Sequence, residues 1–529
     1  MKYLNGRSRW LSVLALAAVV AASATGCAAS NSTAADTTTV TVDTGSLKGR
    51  EDGEARLFQG IPYAAAPVAE RRWQPPASAA HWDGVRDATS PGARCMQAPD
   101  GHGLLPVNLA PASTPEPTNE DCLFLNVRTP AKAADSPLPV MVWIHGGSFS
   151  GGSGAAYDTT RLSEQGIVTV TLNYRLGSLG FLAHPDLDTD GTGGNYGLMD
   201  QQAALRWVQR NIAVFGGDPA KVTIAGESAG GVSVCGHLAA PGSAGLFRAA
   251  VMQSGPCGFA VPHQVAVDTS AAYATSLGCT ANVADCLRKV PADKLAATPV
   301  NFPVWYGHMS AGTGYWLLQG GSVLPEHPAV AATRATVPVL IGTNRDEMRM
   351  GVYLGFESQH QTLGAAAYSA AVASVDKDAP AQYPLSAYES PSIGYGAAAT
   401  DAWVCDVNTM ARQFPATTPV FAYELADSAP FPTTTSFPMG AYHTGELPYL
   451  FNVADLPVTL DQQQRQLSDR MIRYWANFIR TGDPNASGLT EWPMATTGSV
   501  LSLAAEQTAI DTKFESRHHC GFWTQRPQP

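Results

Sequence analysis

A serine bracketed by glycines, Gly226-Glu227-Ser228-Ala229-Gly230, follows the apolar run Val222-Thr223-Ile224-Ala225 and precedes a small-residue helical segment. Strand, sharp turn and helix in that order would lift the Ser228 hydroxyl above the end of a sheet, and the glycines remove side chains that would block a substrate. The chemistry that suits such a group is attack on a carbonyl carbon. A serine hydroxyl is a weak nucleophile at neutral pH. It needs a histidine to take its proton, a carboxylate to orient that histidine, and N–H donors for the charge that develops on the carbonyl oxygen.

The donors are the first of these parts to be found. Pro139-Val140-Met141-Val142-Trp143-Ile144 reads as a fully buried strand and runs into His145-Gly146-Gly147-Ser148-Phe149, a loop whose backbone amides can point inward. The N–H of Ala229, next after the serine, and the amides of Gly147 and Ser148 are the expected oxyanion hole. His145 is expected to anchor that loop by hydrogen bonding, and His237, on the helix after Ser228, to face packing. The strand, turn and helix around Ser228 resemble those of the α/β-hydrolases, which implies an acid and a base after the serine in the order Ser, Asp/Glu, His.

Positioning these parts requires a sheet. Val168–Leu172, Val222–Ala225, Ala249–Gln253 and Val337–Gly342 are continuous apolar runs, the pattern of central parallel strands covered on both faces. Leu198, Ala203, Leu205, Val208, Ile212 and Phe215 fall close to helical spacing, and Gly216-Gly217-Asp218-Pro219 should stop that helix before the strand leading to Ser228. The expectation is an α/β fold: a mostly parallel central sheet covered by helices on both faces, with long loops and an embedded cap-like region. With 45% hydrophobic and 15% charged residues the chain can bury a large core, and no repeat, charge block or linker divides residues 40–529. One catalytic domain is therefore expected there. A net charge of −11 argues against a phosphate-backbone ligand, so no nucleic acid is expected as a partner. His518-His519-Cys520 lacks the usual ligand spacing, and neither metal nor cofactor is expected.

Lys2, Arg7 and Arg9 precede an apolar run from Leu11 to Ala22, too short for a comfortable membrane span, so residues 1–26 read as a signal peptide. Ala24-Thr25-Gly26-Cys27 resembles a bacterial lipobox, with Ala24 departing from the branched apolar residue usual there. The expectation is lipidation at Cys27, a Ser/Thr/Ala-rich tether over 27–39, and a bacterial cell-surface lipoprotein held by a lipid anchor rather than a transmembrane helix. Ordinary cleavage would instead leave a secreted protein with an odd thiol at Cys27. Beyond Cys27 eight cysteines remain, an even number suited to an oxidising compartment.

Ordered motifs across nearly everything after residue 38 carry a resemblance. They are Phe58-Gln59-Gly60-Ile61-Pro62-Tyr63-Ala64, Glu120-Asp121-Cys122-Leu123-Phe124-Leu125-Asn126-Val127, the glycine loop at 145–149, Asn173-Tyr174-Arg175-Leu176-Gly177 and Gly194-Asn195-Tyr196-Gly197-Leu198-Met199-Asp200. Phe215-Gly216-Gly217-Asp218-Pro219, the Ser228 turn, Gln253-Ser254-Gly255 and Thr481-Gly482-Asp483-Pro484-Asn485 continue the series. The chain resembles the type-B carboxylesterases, α/β-hydrolases that include cholinesterases and bacterial para-nitrobenzyl-type esterases. That resemblance implies a serine carboxylic-ester hydrolase working through an acyl-enzyme, with a small-molecule ester as its partner. It places the acid at Glu347 of Gly342-Thr343-Asn344-Arg345-Asp346-Glu347, with Asp346 the competitor and Met348 where the family usually has glycine. It places the base at His443 of Gly440-Ala441-Tyr442-His443, and Glu227 near the leaving group, with a purely structural buried carboxylate as the alternative.

The same resemblance pairs Cys95 with Cys122, Cys279 with Cys286, and Cys405 with Cys520; Cys235 and Cys257 stay open between a fourth bridge and two buried thiols. The loop between Cys95 and Cys122 holds no tryptophan, so choline esters are not expected. Trp305 and Trp316, with Tyr306 and Tyr315, could line an apolar substrate pocket or simply pack. Short- to medium-chain or aryl esters are the expected substrates, and the Ser148 side chain should crowd esters of tertiary alcohols. The competing expectations are a long-chain lipase and a catalytically inactive, surface-displayed binding module on the same fold.

Overall fold

The computed structural model describes residues 37–98, 117–132, 134–188, 190–258, 260–300, 302–306 and 309–525. The expected signal peptide, Cys27 and most of the expected tether lie outside them. Among the described residues eleven strands form the main sheet. The first five are β1 (Arg50–Asp52), β2 (Ala55–Pro62), β3 (Phe124–Pro130), β4 (Leu138–Ile144) and β5 (Val168–Leu172). The others are β6 (Gly217–Glu227), β7 (Ala249–Gln253), β8 (Val339–Asn344), β9 (Val420–Leu425), β10 (Val500–Leu503) and β11 (Ala509–Asp511). Their spatial order is β11-β10-β9-β8-β7-β6-β4-β5-β3-β2-β1. From β10 across to β5 every neighbour is parallel, and both flanks are antiparallel.

Alternation along the central strands sorts side chains between two cores. Val140, Val142 and Ile144 of β4 enter one core, and Met141 and Trp143 enter the other. The same division repeats in β7, where Ala250 and Met252 face one way and Ala249 and Val251 the other. Each fully buried branched or aromatic side chain contributes roughly 1.5–3 kcal/mol. β5 departs from the apolar pattern, with Val168, Val170 and Leu172 in the first core and Thr169 and Thr171 on the other face hydrogen-bonded to Thr159 and Asn126. Helices α1 (Tyr196–Asn211), α2 (Ala229–Ala239) and α3 (Pro391–Gln413) pack into the first core, and α4 (Gln462–Thr481) into the second. A capping box between Asp461 and Gln464 starts α4, and Gly482 at φ 83° ends it.

The helix expected to run through Phe215 stops at Asn211, and Ile212–Phe215 forms a 3₁₀ turn closed by Gly216 at φ 87°. Gly217, expected to belong to the stop, already pairs with Leu138, and the register shifts before Val222 resumes opposite Val140. Four disulfides join Cys95 to Cys122, Cys235 to Cys257, Cys279 to Cys286 and Cys405 to Cys520. The pair left open by the sequence, Cys235 and Cys257, is thus bridged. Four bridges fit an oxidising compartment. Among the described residues no helix is long and apolar enough to cross a membrane.

His518, beside the last disulfide, has a structural setting. Its Nδ1 lies 2.6 Å from Asp401 of α3 and its Nε2 lies 2.6 Å from Glu424 of β9, so it ties the C-terminal segment to the sheet and to α3. Arg345 and Arg517 reach the other oxygen of Glu424, and His519 the other oxygen of Asp401. Burial opposes the charge on His518, but the bonds to the two carboxylates outweigh it and raise the imidazole to about 9. An unfolded histidine titrates near about 6.5, so this contribution is complete below that pH and is lost as pH rises through the folded value. The thermal midpoint should therefore fall as pH is raised from neutrality to about 9. His518→Gln should flatten that fall, and an equal slope in the variant would exclude His518 as its source.

Candidate active site

The strand order reverses about β4, and the crevice at such a switch point lies outside the carboxyl ends of the strands. β4 and β6 are neighbours there, with Gly226 opposite Ile144, so the loop after β4 and the turn after β6 emerge side by side. Ser228 occupies that turn at φ 56° and ψ −123°, a left-handed φ that a side chain rarely adopts. Two hydrogen bonds hold it: Ser228 N–H donates to Gln253 O at 2.9 Å, and Val232 N–H donates to Ser228 O at 2.9 Å. The glycines are demanded by close approach. A Cβ on Gly230 would lie 2.0 Å from the Ile144 carbonyl oxygen, and one on Gly226 would lie 2.5 Å from the Gly230 carbonyl carbon.

His443 sits in the loop after β9, and its N–H donates to the Glu347 carbonyl at 3.1 Å. Its Nε2 is 2.8 Å from Ser228 Oγ and its Nδ1 is 2.7 Å from Glu347 Oε2. Asn344 N–H, at the end of β8, donates to the other Glu347 oxygen at 2.8 Å. Three segments far apart in the chain thus meet in one hydrogen-bonded row. Such a row can take a proton from the hydroxyl and stabilise the imidazolium that results. Asp346 turns the other way: its carboxylate accepts from Ala441 N–H at 3.0 Å and lies 2.8 Å from Arg349. At Met348 the N–H donates to Thr400 Oγ1 at 3.0 Å, and the backbone enters a short helix without a left-handed residue.

In the loop after β4, Gly147, Ser148 and Phe149 have φ of 103°, 55° and 55° in succession. Gly147 O accepts from the N–H groups of Ser150 and Gly151, while the N–H groups of Gly147 and Ser148 donate to no backbone carbonyl among the described residues. Ser148 is exposed and Phe149 is buried. Ala229 is the first residue of α2, where an N–H has no carbonyl within the helix to meet. His145 is buried, lies 2.8 Å from Gly146 O through Nδ1 and stacks on Tyr174 at 4.5 Å. Burial, outweighing that backbone bond, lowers its imidazole to about 4 and keeps it neutral. Trp316 is half-buried against the first core; the side chain of Trp305 is outside the described structure.

Glu227 is fully buried, its Oε1 is 3.4 Å from His443 Nε2, and neither oxygen has a hydrogen-bond partner among the described residues. Burial pushes its carboxyl well above the usual range, with His443 opposing less strongly. Glu446, which the sequence reading passed over, is a second buried carboxyl beside the histidine: it accepts from Gln253 Nε2 at 3.1 Å and from Asn344 Nδ2 at 2.6 Å. Burial and the Glu347 charge raise it as well. An acidic residue three positions after His443, within one turn, is the signal that could have found it. Burial resists a charge on His443, and the surrounding carboxyl groups of Glu227, Glu347 and Glu446 oppose that effect and favour the imidazolium.

The carboxylesterase family model matches residues 36–523. The chain belongs to the carboxylesterase family. This carboxylesterase is 34% identical over 497 residues to the pyrethroid hydrolase Ces2e of Rattus norvegicus, covering 88% of the chain and 85% of the relative. It is 34% identical over 481 residues to the para-nitrobenzyl esterase of Bacillus subtilis (strain 168), covering 86% and 92%. A solved PNB esterase structure superposes with a TM-score of 0.76 at 31% identity, over 91% of this chain and 98% of that one. The fold is that of an α/β-hydrolase, and the protein is a carboxylic-ester hydrolase of type B.

The two neighbouring acids can be told apart in solution. Glu347→Gln should lower kcat/KM on an activated ester by about 10³-fold or more, and Asp346→Asn should change it only a few-fold. Equal losses in the two variants would contradict the pairing of Glu347 with His443.

Proposed function

We propose that Ser228, His443 and Glu347 hydrolyse carboxylic esters in two steps through an acyl-enzyme. What carries this reading is the row from Glu347 Oε2 to His443 Nδ1 at 2.7 Å and from His443 Nε2 to Ser228 Oγ at 2.8 Å. His443 Nε2 takes the hydroxyl proton as Ser228 Oγ bonds to the ester carbonyl carbon, and Glu347 steadies the imidazolium. The N–H groups of Gly147, Ser148 and Ala229 receive the charge on the carbonyl oxygen. The imidazolium then returns its proton to the departing alkoxide, and the C–O bond breaks. Water deprotonated by the same histidine attacks the acyl-enzyme and releases the acid, restoring Ser228. No step calls for a group the chain does not supply.

Short- to medium-chain or aryl esters are the substrates we assign. The support is the naming of two relatives, a pyrethroid hydrolase and a para-nitrobenzyl esterase, together with the apolar residues expected in the pocket. Ser148 projects an exposed side chain from a left-handed position in the loop that faces the carbonyl, which favours slim alcohol groups.

Hydrolysis of para-nitrophenyl acetate, butyrate, octanoate and palmitate, with ethyl and tert-butyl acetate alongside, tests both statements. Ser228→Ala should lose about 10⁴-fold or more on every ester. Turnover should peak at acetate to octanoate, and ethyl acetate should be favoured over tert-butyl acetate by at least about tenfold. A wild-type enzyme no faster than Ser228→Ala would defeat the catalytic reading. A palmitate optimum would make the enzyme a lipase, and equal turnover of the two acetates would remove the role given to Ser148.

A further inference from the structure

Behind the nucleophile helix lies a buried polar row that the reaction above does not use. Ser233 Oγ donates to the Ala229 carbonyl at 2.9 Å, and Gln201 Nε2 of α1 donates to Ser233 Oγ at 3.0 Å. The other end of that amide, Gln201 Oε1, lies 3.0 Å from His237 Nε2, and His237 Nδ1 lies 2.9 Å from Ser243 Oγ. Gln202 Nε2 donates to Ser243 Oγ at 3.0 Å. Gln201, Ser233 and Ser243 are wholly buried, with His237 and Gln202 nearly so.

These contacts have one consistent set of proton positions. Gln201 spends its amide donor on Ser233, so its oxygen must accept, and His237 must carry its proton on Nε2. Nδ1 is then an acceptor for the Ser243 hydroxyl, whose oxygen in turn receives the Gln202 amide. The donors all run one way, from Gln202 through Ser243, His237, Gln201 and Ser233, and the row ends on the backbone of the residue after Ser228. Burial, aided by the Arg206 charge, lowers the His237 imidazole to about 3, so the neutral tautomer this direction requires holds across the working pH range. The far side of the same turn is pressed against the next strand: a Cβ on Gly231 would lie 2.6 Å from Gln253 O. The first turn of α2 is therefore held from both sides.

We infer that His237 is a positioning residue for the esterase reaction, acting through Gln201 and Ser233 to fix the first turn of α2 and with it the Ala229 N–H that receives the oxyanion. This rests on the proposed role of Ala229. Carbonyl and N–H flank the same Cα, so a turn free to rock would move a donor whose placement matters to within a fraction of an ångström.

The test measures kcat and KM on para-nitrophenyl butyrate, and the inhibition constant of an alkyl trifluoromethyl ketone, whose tetrahedral adduct needs the oxyanion donors. The variants are Ser233→Ala, which removes the bond to the Ala229 carbonyl and the one accepted from Gln201 while leaving His237 in place, His237→Leu, and His237→Gln, whose amide can still donate to Gln201. Ser233→Ala and His237→Leu should lower kcat by about tenfold with KM within about twofold, and should weaken the ketone by the same factor as kcat. His237→Gln should recover most of both. Wild-type kcat in Ser233→Ala, or a kcat loss with undiminished ketone affinity, would overturn the inference. Should His237→Leu not fold, Ser233→Ala decides alone. Activity that survives Ser228→Ala would instead sink the proposed function itself, a different result from Ser228-dependent activity indifferent to the row.

Discussion

The close approach of the turn after β6 to the end of β4 is the constraint on which the site depends. With the Gly230 Cα position set so near the Ile144 carbonyl that a Cβ would stand 2.0 Å away, nothing but glycine fits, and the helix that follows is pressed directly onto the neighbouring strand. That contact brings Ser228 level with the loop at 145–149 and forces the serine into a left-handed φ. Such a conformation costs of order 1–3 kcal/mol and persists only where its surroundings over-determine it. Here Gln253 O and Val232 N–H grip the peptide on either side, and the buried row ending at Ala229 grips the turn beyond.

The electrostatics of the site follow from burial. Three carboxyl groups surround one histidine, and all three are fully buried. Burial raises both Glu227 and Glu446 above the usual carboxyl range; Glu446 accepts from the amides of Gln253 and Asn344, and Glu227 has no hydrogen-bond partner among the described residues. Glu347 differs in accepting a backbone N–H from Asn344 as well as facing His443 Nδ1. Three chemically identical groups are thus distinguished by where their hydrogen-bond donors lie.

Much of this was legible from residue types alone. The run Val222–Ala225, the serine between glycines and the apolar strand before His145 point to the places of the proposed nucleophile and donors, because local spacing encodes a strand, a turn and a helix. The choice between Asp346 and Glu347 rested on a resemblance, since alternation says only that one of two neighbours faces the histidine; which one depends on the pairing of Asp346 with Arg349 and Ala441. Glu446 and the row through His237 were not legible as a set. Their members come from α1, α2 and loops, and only the packed sheet brings them together. The early start of β6 at Gly217 was hidden for a similar reason: Gly217-Asp218-Pro219 is turn-like in composition, and tertiary pairing with Leu138 overrides that preference.

The central claim is that Ser228 is the nucleophile, and covalent labelling addresses it most directly. After reaction with an alkyl fluorophosphonate, peptide mapping by mass spectrometry should find one phosphonyl group on the peptide containing Ser228, in step with loss of esterase activity. Inactivation accompanied by label on another residue, or full labelling of Ser228 with activity intact, would contradict the account.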